Sequence, residues 1–253
     1  MKKTLLLIVP FLIILSPLIG QKKTDEPNPM KGVKTKKVFK YDYKEEFGEL
    51  LESLNKKEIE NYNSDGKLVE SLYYDNEGLL TEKTIVQHDS NGNSIDVSVY
   101  DGEGLLDFKT KLKYDSLGNM IEYSNYDSNG KLKNKYTFKY DSKGNEIEKS
   151  EYNSGGFIEI ISITKYDSRG NKIETSNFDS DGKFKNDDLK VSKYVFKYDS
   201  TGNQIEVLYY DSDGKLTVNL FGISSYIHKY DFKNNLVETL MYDSKENLVE
   251  VYG

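Results

Sequence analysis

The chain has no cysteine and no tryptophan, and only two histidines and four prolines among its 253 residues. Without cysteine there are no disulfides, no thiolate metal sites, no cysteine nucleophile and no lipid anchor on an N-terminal Cys. An exported protein lacking disulfides fits a bacterium better than a eukaryotic extracellular domain of this size. The two histidines, His88 and His228, stand in no metal-binding or catalytic spacing, so each reads as a substitution at a repeat position. No phosphate-cradling glycine loop and no nucleophile elbow occurs. These absences point away from an enzyme and imply no cofactor. Positive charge is also short: the formal net charge is −7, which opposes a nucleic-acid partner because phosphate binding needs a basic face. Mean hydropathy is −0.69, and such a composition opposes a thick globular core.

Long apolar runs are missing except for one. Leu5 to Ile19 is apolar, follows Lys2 and Lys3, and gives way to Gly20 and Gln21, so residues 1–20 read as a signal peptide. The run is shorter than the roughly 20 residues a bilayer span needs, and Pro10 and Pro17 interrupt it. The expectation is export to the periplasm, cell surface or exterior, with no stable membrane span after cleavage; an uncleaved anchor is the alternative. Residues 21–37, polar and Lys-rich with two prolines, read as a flexible linker.

Tyrosine is plentiful, with 21 copies, and it is periodic. An aromatic opens a polar turn at Tyr62, Tyr74, His88, Tyr100, Tyr114, Tyr126, Tyr140, Tyr152, Tyr166, Phe178, Tyr198, Tyr210, Tyr230 and Tyr242. The gaps alternate between 12 and 14, a 26-residue unit, and two later gaps stretch to 20. Two turn classes alternate: Y-D-S-x-G-N, as at 140–145, and Y-D-S-x-G-K, as at 126–131. Asp can accept backbone N–H bonds within such a turn, and Gly can take the left-handed position that returns the chain. Each motif is therefore a hairpin turn. Between turns the pattern has period two: Leu132, Asn134, Tyr136, Phe138 and Tyr140 share one face, and Lys131, Lys133, Lys135 and Lys139 the other. Leu106, Phe108, Leu112 and Tyr114 form the same kind of set.

The fold expected for residues 38–253 is all-β: a tandem β-hairpin meander, or repeat array, forming an open, curled antiparallel sheet or half-barrel, with a degenerate first repeat at 38–61. In that first repeat Phe47, Leu50, Leu51 and Leu54 have helical spacing, but a decayed hairpin turning near Asn55–Lys57 is preferred. Like turns should stack two strands apart, giving an aromatic column along each rim. The apolar residue lies six positions past the tyrosine at Leu132 but seven past at Ile147. Either the second kind of turn carries an extra bulge residue, which is the expectation, or Ile147 packs on the opposite face.

Chemistry within the repeat is explained by turns and solvation. The D-S-D-G segments at 179–182 and 211–214 look like calcium-loop fragments, yet equivalent turns carry Lys143 and Arg169 where a cation would be repelled. Glu122, Glu148, Glu174 and Glu206 form a column expected to pair with strand lysines. The pattern is broken at 183–197 and 215–229, two six-residue extensions in adjacent units. Insertions in repeat arrays gather on one face, often the binding face, which makes Leu189, Val191, Phe221, Ile223 and Tyr226 candidate contacts. Longer, mutually paired strands are the plainer reading of the same segments.

The repeated Y-D-x-x-G-[NK]-x-[IL] core resembles the YD repeats of the RHS family across most of 38–253. That resemblance implies β-hairpin repeats in an exported bacterial protein. The shell-forming members carry an Asp-Pro cleavage element, which this chain lacks, so encapsulation is not implied. The turns also look like MORN-type hairpin repeats of bacterial antitoxins. The expected function is a non-enzymatic surface or periplasmic module binding protein or carbohydrate. The alternatives are a structural envelope protein that self-associates edge to edge, and an antitoxin-type inhibitor.

Overall fold

A computed structural model describes residues 29–46 and 49–252; the expected export signal and residues 21–28 of the linker lie outside them. Among the described residues the chain forms strands and turns and no helix. The strands are β1 (Thr35–Glu46), β2 (Glu49–Tyr62), β3 (Leu68–Tyr74), β4 (Leu80–His88), β5 (Ser94–Asp101), β6 (Leu106–Tyr114), β7 (Met120–Asp127) and β8 (Leu132–Tyr140). They continue as β9 (Glu146–Tyr152), β10 (Ile158–Tyr166), β11 (Lys172–Phe178), β12 (Lys193–Tyr198), β13 (Gln204–Tyr210), β14 (Ser225–Tyr230), β15 (Leu236–Tyr242) and β16 (Leu248–Tyr252). Neighbours in sequence are neighbours in the sheet from β1 to β16, with no crossover, so the array is the all-β meander that the repeat predicts. Its contacts group into two compact units, one holding β1–β6 with Asn125–Lys131, the other Ile121–Ser124 and everything from Leu132 onward.

The turns follow one rule. Around Asp141, the Asp backbone N–H donates to Asn145 O (2.9 Å) and Gly144 N–H donates back to Asp141 O (3.0 Å). Asp141 Oδ1 accepts the N–H groups of Lys143 and Asn145 at 2.8 and 2.9 Å, and Oδ2 accepts the Asn145 side-chain amide at 2.9 Å. Both Asp141 oxygens are thus committed to chain closure, and the D-S-D-G segments close as turns through one oxygen each: Asp179 and Asp211 Oδ1 take the same two N–H bonds. Gly144 supplies φ +84°, a left-handed conformation that a Cβ disfavours.

Among the described residues three positions accept that strain without glycine: Lys190 (φ 65°), Asn234 (φ 63°) and Glu246 (φ 63°). Glu246→Gly and Lys190→Gly are expected to stabilise the fold by about 0.5–1 kcal/mol each, the relief of strain less the flexibility gained by the unfolded chain. Asn234→Gly should do less, because Asn tolerates this region. The check is a urea midpoint that rises at constant slope; unmoved midpoints would count against the strain.

Registers correct the expected bulge. At Tyr140 the pairing is Tyr140↔Glu146 and then Lys139↔Glu148, which leaves Ile147 as the unpaired bulge residue. The other turn class does the same: Tyr100↔Leu106 is followed by Val99↔Phe108. Both classes carry one bulge at one place, so the apolar residue differs in position while the backbone does not. The bulge also moves Leu106 off the face of Phe108, Leu112 and Tyr114 with which simple alternation groups it. The first repeat is a hairpin, as preferred, but it closes at Glu46↔Glu49 rather than near Asn55–Lys57. Residues 47–48 lie outside the described set, and Tyr41–Asp42, which looks like a turn onset, continues β1 instead.

The bulges put the two rims' aromatics on opposite faces. Tyr140 shares a face with Phe138 and Tyr136, whereas Tyr152 shares the other with Lys139, Glu148 and Ser150. On the latter, charged face, Glu148, Glu174 and Glu206 pair with Lys139, Lys165 and Lys197 at 2.9, 2.8 and 2.5 Å, and Lys135 lies 3.5 Å from Glu122. At the other rim the Lys135 and Lys193 ammonium groups stand over Tyr152 and Tyr210 at 4.9 and 4.6 Å. The remaining face is aromatic. Its rim tyrosines form the expected column, for Tyr166, Tyr198 and Tyr230 donate hydroxyl bonds to the carbonyls of Glu146, Lys172 and Gln204 in the preceding like turns (2.8, 2.9 and 3.0 Å).

Among the described residues buried apolar side chains are few, in keeping with the composition. In the first unit they are Val86, Val97, Val99 and Leu112, and in the second Val191, Val207 and Ile223. Small hydroxyl residues complete the interior, among them Thr110, Ser150, Ser176, Ser192 and Ser224.

Candidate functional site

The two sequence extensions are neither longer strands nor loose loops. Each contains one additional copy of the turn. In the first, Asp187 Oδ1 accepts Leu189 N–H and Val191 N–H at 2.9 and 3.1 Å, and Lys190 takes the left-handed position. In the second, Asn219 Oδ1 accepts Phe221 N–H and Ile223 N–H at 2.9 and 3.2 Å, with Gly222 at φ 79°. Each added turn is bolted to the sheet on both sides. Asn177 N–H donates to Ser192 O (2.7 Å) and Ser192 N–H to Tyr210 O (2.9 Å); Tyr209 N–H donates to Ser224 O (3.0 Å) and Ser224 N–H to Tyr242 O (2.7 Å). Phe184 stacks on Phe178 with ring centroids 4.9 Å apart.

This geometry sorts the five candidate contacts. Leu189 and Phe221 lie at the turn tips and are exposed, Phe221 by 72%. Val191 and Ile223, expected to be exposed, are buried at 0% and 6%. They are the fifth residues of their turns, where the chain re-enters the sheet and the N–H bonds the Asp187 or Asn219 oxygen. Tyr226 is half-buried on the aromatic face.

Tyr226 is one member of a row that the sequence reading missed. Across β12, β13 and β14 the register places Tyr194 opposite Tyr209, and Tyr226 opposite Val207 on the same face. Ring centroids are 5.2 Å apart for Tyr194–Tyr209 and 6.0 Å for Tyr209–Tyr226, both edge-on. His228, two residues along β14, lies parallel to Tyr226 at 6.3 Å. The inserted turns hold this row. Tyr194 donates its hydroxyl to Asp187 Oδ2 at 2.5 Å, and the Asn177 amide reaches the same oxygen at 3.4 Å while its carbonyl accepts from Ser162 (2.7 Å). Tyr209 packs edge-on between Tyr194 and Tyr226, and its backbone N–H donates to Ser224 O behind the second inserted turn. The signals were present: N-L-F-G at 219–222 has the turn spacing, and Tyr194 and Tyr226 stand four residues before a turn tyrosine, where the first unit has Thr84 and Thr110.

Electrostatically the row is quiet. Burial, then the Asp187 bond, pushes the Tyr194 hydroxyl far above its ordinary range, and burial followed by Tyr226 does the same for Tyr209. Burial lowers the His228 pKa, and its Nδ1 lies 3.0 Å from the Thr239 hydroxyl. At neutral pH these rings are uncharged, and the Asp187 carboxyl is bonded to the first of them. Among the described residues no three His, Asp or Glu side chains converge as metal ligands. The arrangement offers half-buried aromatic rings, which can hold a ligand, while the Asn177 and Asn219 amides are buried beneath it.

No family model matches the chain, and no curated protein matches it in sequence. Among solved structures, TcdB2-TccC3 superposes with a TM-score of 0.41 at 11% identity, covering 86% of this chain and 15% of the other. A Tc holotoxin pore from Photorhabdus luminescens gives a TM-score of 0.37 at 12% identity, covering 85% and 14%. A porin-like protein from Bacteroides uniformis gives 0.32 at 11% identity, covering 85% and 93%. The chain therefore spans about one-seventh of the toxin chains it matches. At this level of superposition none of these likenesses assigns a family.

Proposed function

We propose that the protein is an exported, non-enzymatic binding module whose ligand docks on the aromatic face of the second unit, at the two inserted turns. The observation that carries this is local. In a repeat whose other turns serve chain reversal, two adjacent turns are added that lengthen no strand, and Asp187 within the first bonds Tyr194, which packs edge-on against Tyr209. Exposed apolar side chains at the tips, Leu189, Leu220 and Phe221, rim the same region. Added turns that order half-buried tyrosines suit recognition, since tyrosine supplies a large, rigid contact with a polar end. Export rests on the N-terminal sequence and the repeat resemblance.

The test follows from the repeat length. Excising 185–190 and 217–222 restores the regular nine residues between turn and turn tyrosine. The shortened protein is expected to keep its strand content and cooperative unfolding while losing retention by immobilised envelope polysaccharides and envelope proteins that hold the full chain. Retention unchanged after excision, or no retention of the full chain by either class, would overturn the proposal.

A further inference from the structure

Beyond the aromatic face, we infer that the open edge of β1 docks a second copy of this chain. The two β1 strands pair antiparallel about a two-fold axis at Tyr41. β1 has β2 on one side and no described strand on the other. Phe39 and Tyr41 are 46% and 43% exposed there, an apolar edge of the kind that sheet proteins cover or blunt. Tyr62 N–H donates to Lys34 O at 2.9 Å, beside the pair Thr35↔Asn61. By strand alternation the even-numbered residues of β1 therefore turn their backbone groups toward β2. Thr35, Lys37, Phe39, Tyr41, Tyr43 and Glu45 turn theirs outward. The register shift at Lys40/Tyr41 skips Asn55 of β2, so β1 itself keeps that alternation throughout.

The sequence of β1 selects the register. An edge-to-edge pair bonds only through outward residues, so odd positions must face odd positions. With Tyr41 opposite itself, Lys36, Lys37 and Lys40 fall opposite Glu46, Glu45 and Asp42 of the second copy, and Phe39 opposite its Tyr43. Two-fold symmetry repeats each pair, and within 36–46 only Val38 opposite Lys44 is unmatched. The neighbouring registers fail. Centred on Lys40, the pair sets Lys40 against itself and Lys36 against Lys44; centred on Asp42, it sets Asp42 against itself and Lys40 against Lys44. Opposite charges directly across an antiparallel pair are favourable and like charges are not. Lysines alone would blunt the edge against any strand, but here the anions stand where an antiparallel copy brings the cations. A lysine ammonium has three donors and a carboxylate two oxygens. Lys36, held to Glu60 at 2.6 Å, and Asp42, bonded on Oδ2 by the Asn55 amide at 2.5 Å, can therefore each take a second partner. The outward residues from Lys37 to Glu45 close about ten backbone bonds. Such an interface is isologous and stops at two copies.

The experiment is sedimentation equilibrium of the full chain over a range of concentrations, with two charge variants. Lys37→Glu with Lys40→Glu makes the edge acidic, and Asp42→Lys with Glu45→Lys makes it basic. The parent is expected to form dimers and no larger species. Each variant alone should self-associate at least tenfold more weakly, because like charges then face each other. An equimolar mixture of the two should regain dimers, every pair being opposite in sign again. Phe39→Pro removes an outward N–H that β2 does not use, so it is expected to be folded and monomeric. Circular dichroism on each variant separates a lost edge from a lost fold. A monomeric parent, a mass that keeps rising past two copies, variants as dimeric as the parent, or a mixture that stays monomeric would overturn the inference. Ligand retention reads the inserted turns of the other unit, so the failure of either idea leaves the other standing.

Discussion

Lowering the pH from 7 to 2 is expected to unfold the repeat array cooperatively, and replacing turn aspartates by asparagine to move that transition to lower pH. The Asn four residues on leads the depression of Asp115, Asp141, Asp231 and Asp243 through its side-chain amide, and of Asp167 through its backbone N–H. The Thr201 hydroxyl leads at Asp199, which is brought down to about 2. These carboxyls lie lower folded than their ordinary value of 3.8. Their contribution is therefore complete above that value and is lost as pH falls from about 4 toward 2. Glu146, raised by burial, works in the opposite direction, but it is a single group against six. Asparagine is a fair replacement because Asn63 and Asn153 already make the same two Oδ1 bonds in their turns. A variant with Asn at all six positions should therefore stay folded at neutral pH and resist acid, followed by far-ultraviolet circular dichroism against pH. An acid midpoint identical to that of the parent would refute this account.

Leu112→Ala should cost about 2–3 kcal/mol, near the lower end for a buried leucine, because the sheet can close only part of the space left behind. Leu112 is 3% exposed and is one of four fully buried apolar side chains described in its unit. The control is Phe232→Ala. Phe232 is 91% exposed at a turn tip, with the Lys233 ammonium 5.5 Å from its ring centroid, so its removal should change stability by less than about 0.5 kcal/mol. Urea unfolding measures both. Similar losses in the two variants would mean that stability resides in the turns rather than in the few buried side chains.

The repeat made the fold legible because strand ends are marked chemically: an aromatic, an Asp or Asn, and a left-handed residue three positions later. Reading glycine as the only such residue hid the first inserted turn, where Lys190 takes the position. Reading the extensions as strands hid the second, although Asn219 and Gly222 have the required spacing. The bulge was misplaced for a different reason. A shift of the apolar residue from Leu132 to Ile147 suggested two backbones, but register alone reveals one, and hydrophobic patterning cannot distinguish a bulge residue from a strand residue that faces the other way. Of the candidate site, Tyr226 and the tips were within reach of the sequence. The pairing of Tyr194 with Tyr209 was not, since it depends on which residues the bulge sets opposite each other.

The hydroxyl bonds of the turn tyrosines have a consequence for how such a chain can change in length. The bond spans 20 residues from Tyr166 to Glu146 but 26 from Tyr198 to Lys172 and from Tyr230 to Gln204, so the same stitch closes with or without an added turn. Each strand depends on its immediate neighbours in the order of synthesis. Whole turns can thus be gained or lost by duplication without unravelling what flanks them, whereas a single inserted residue within a strand would exchange its two faces. The grammar tolerates new clauses but not misspellings.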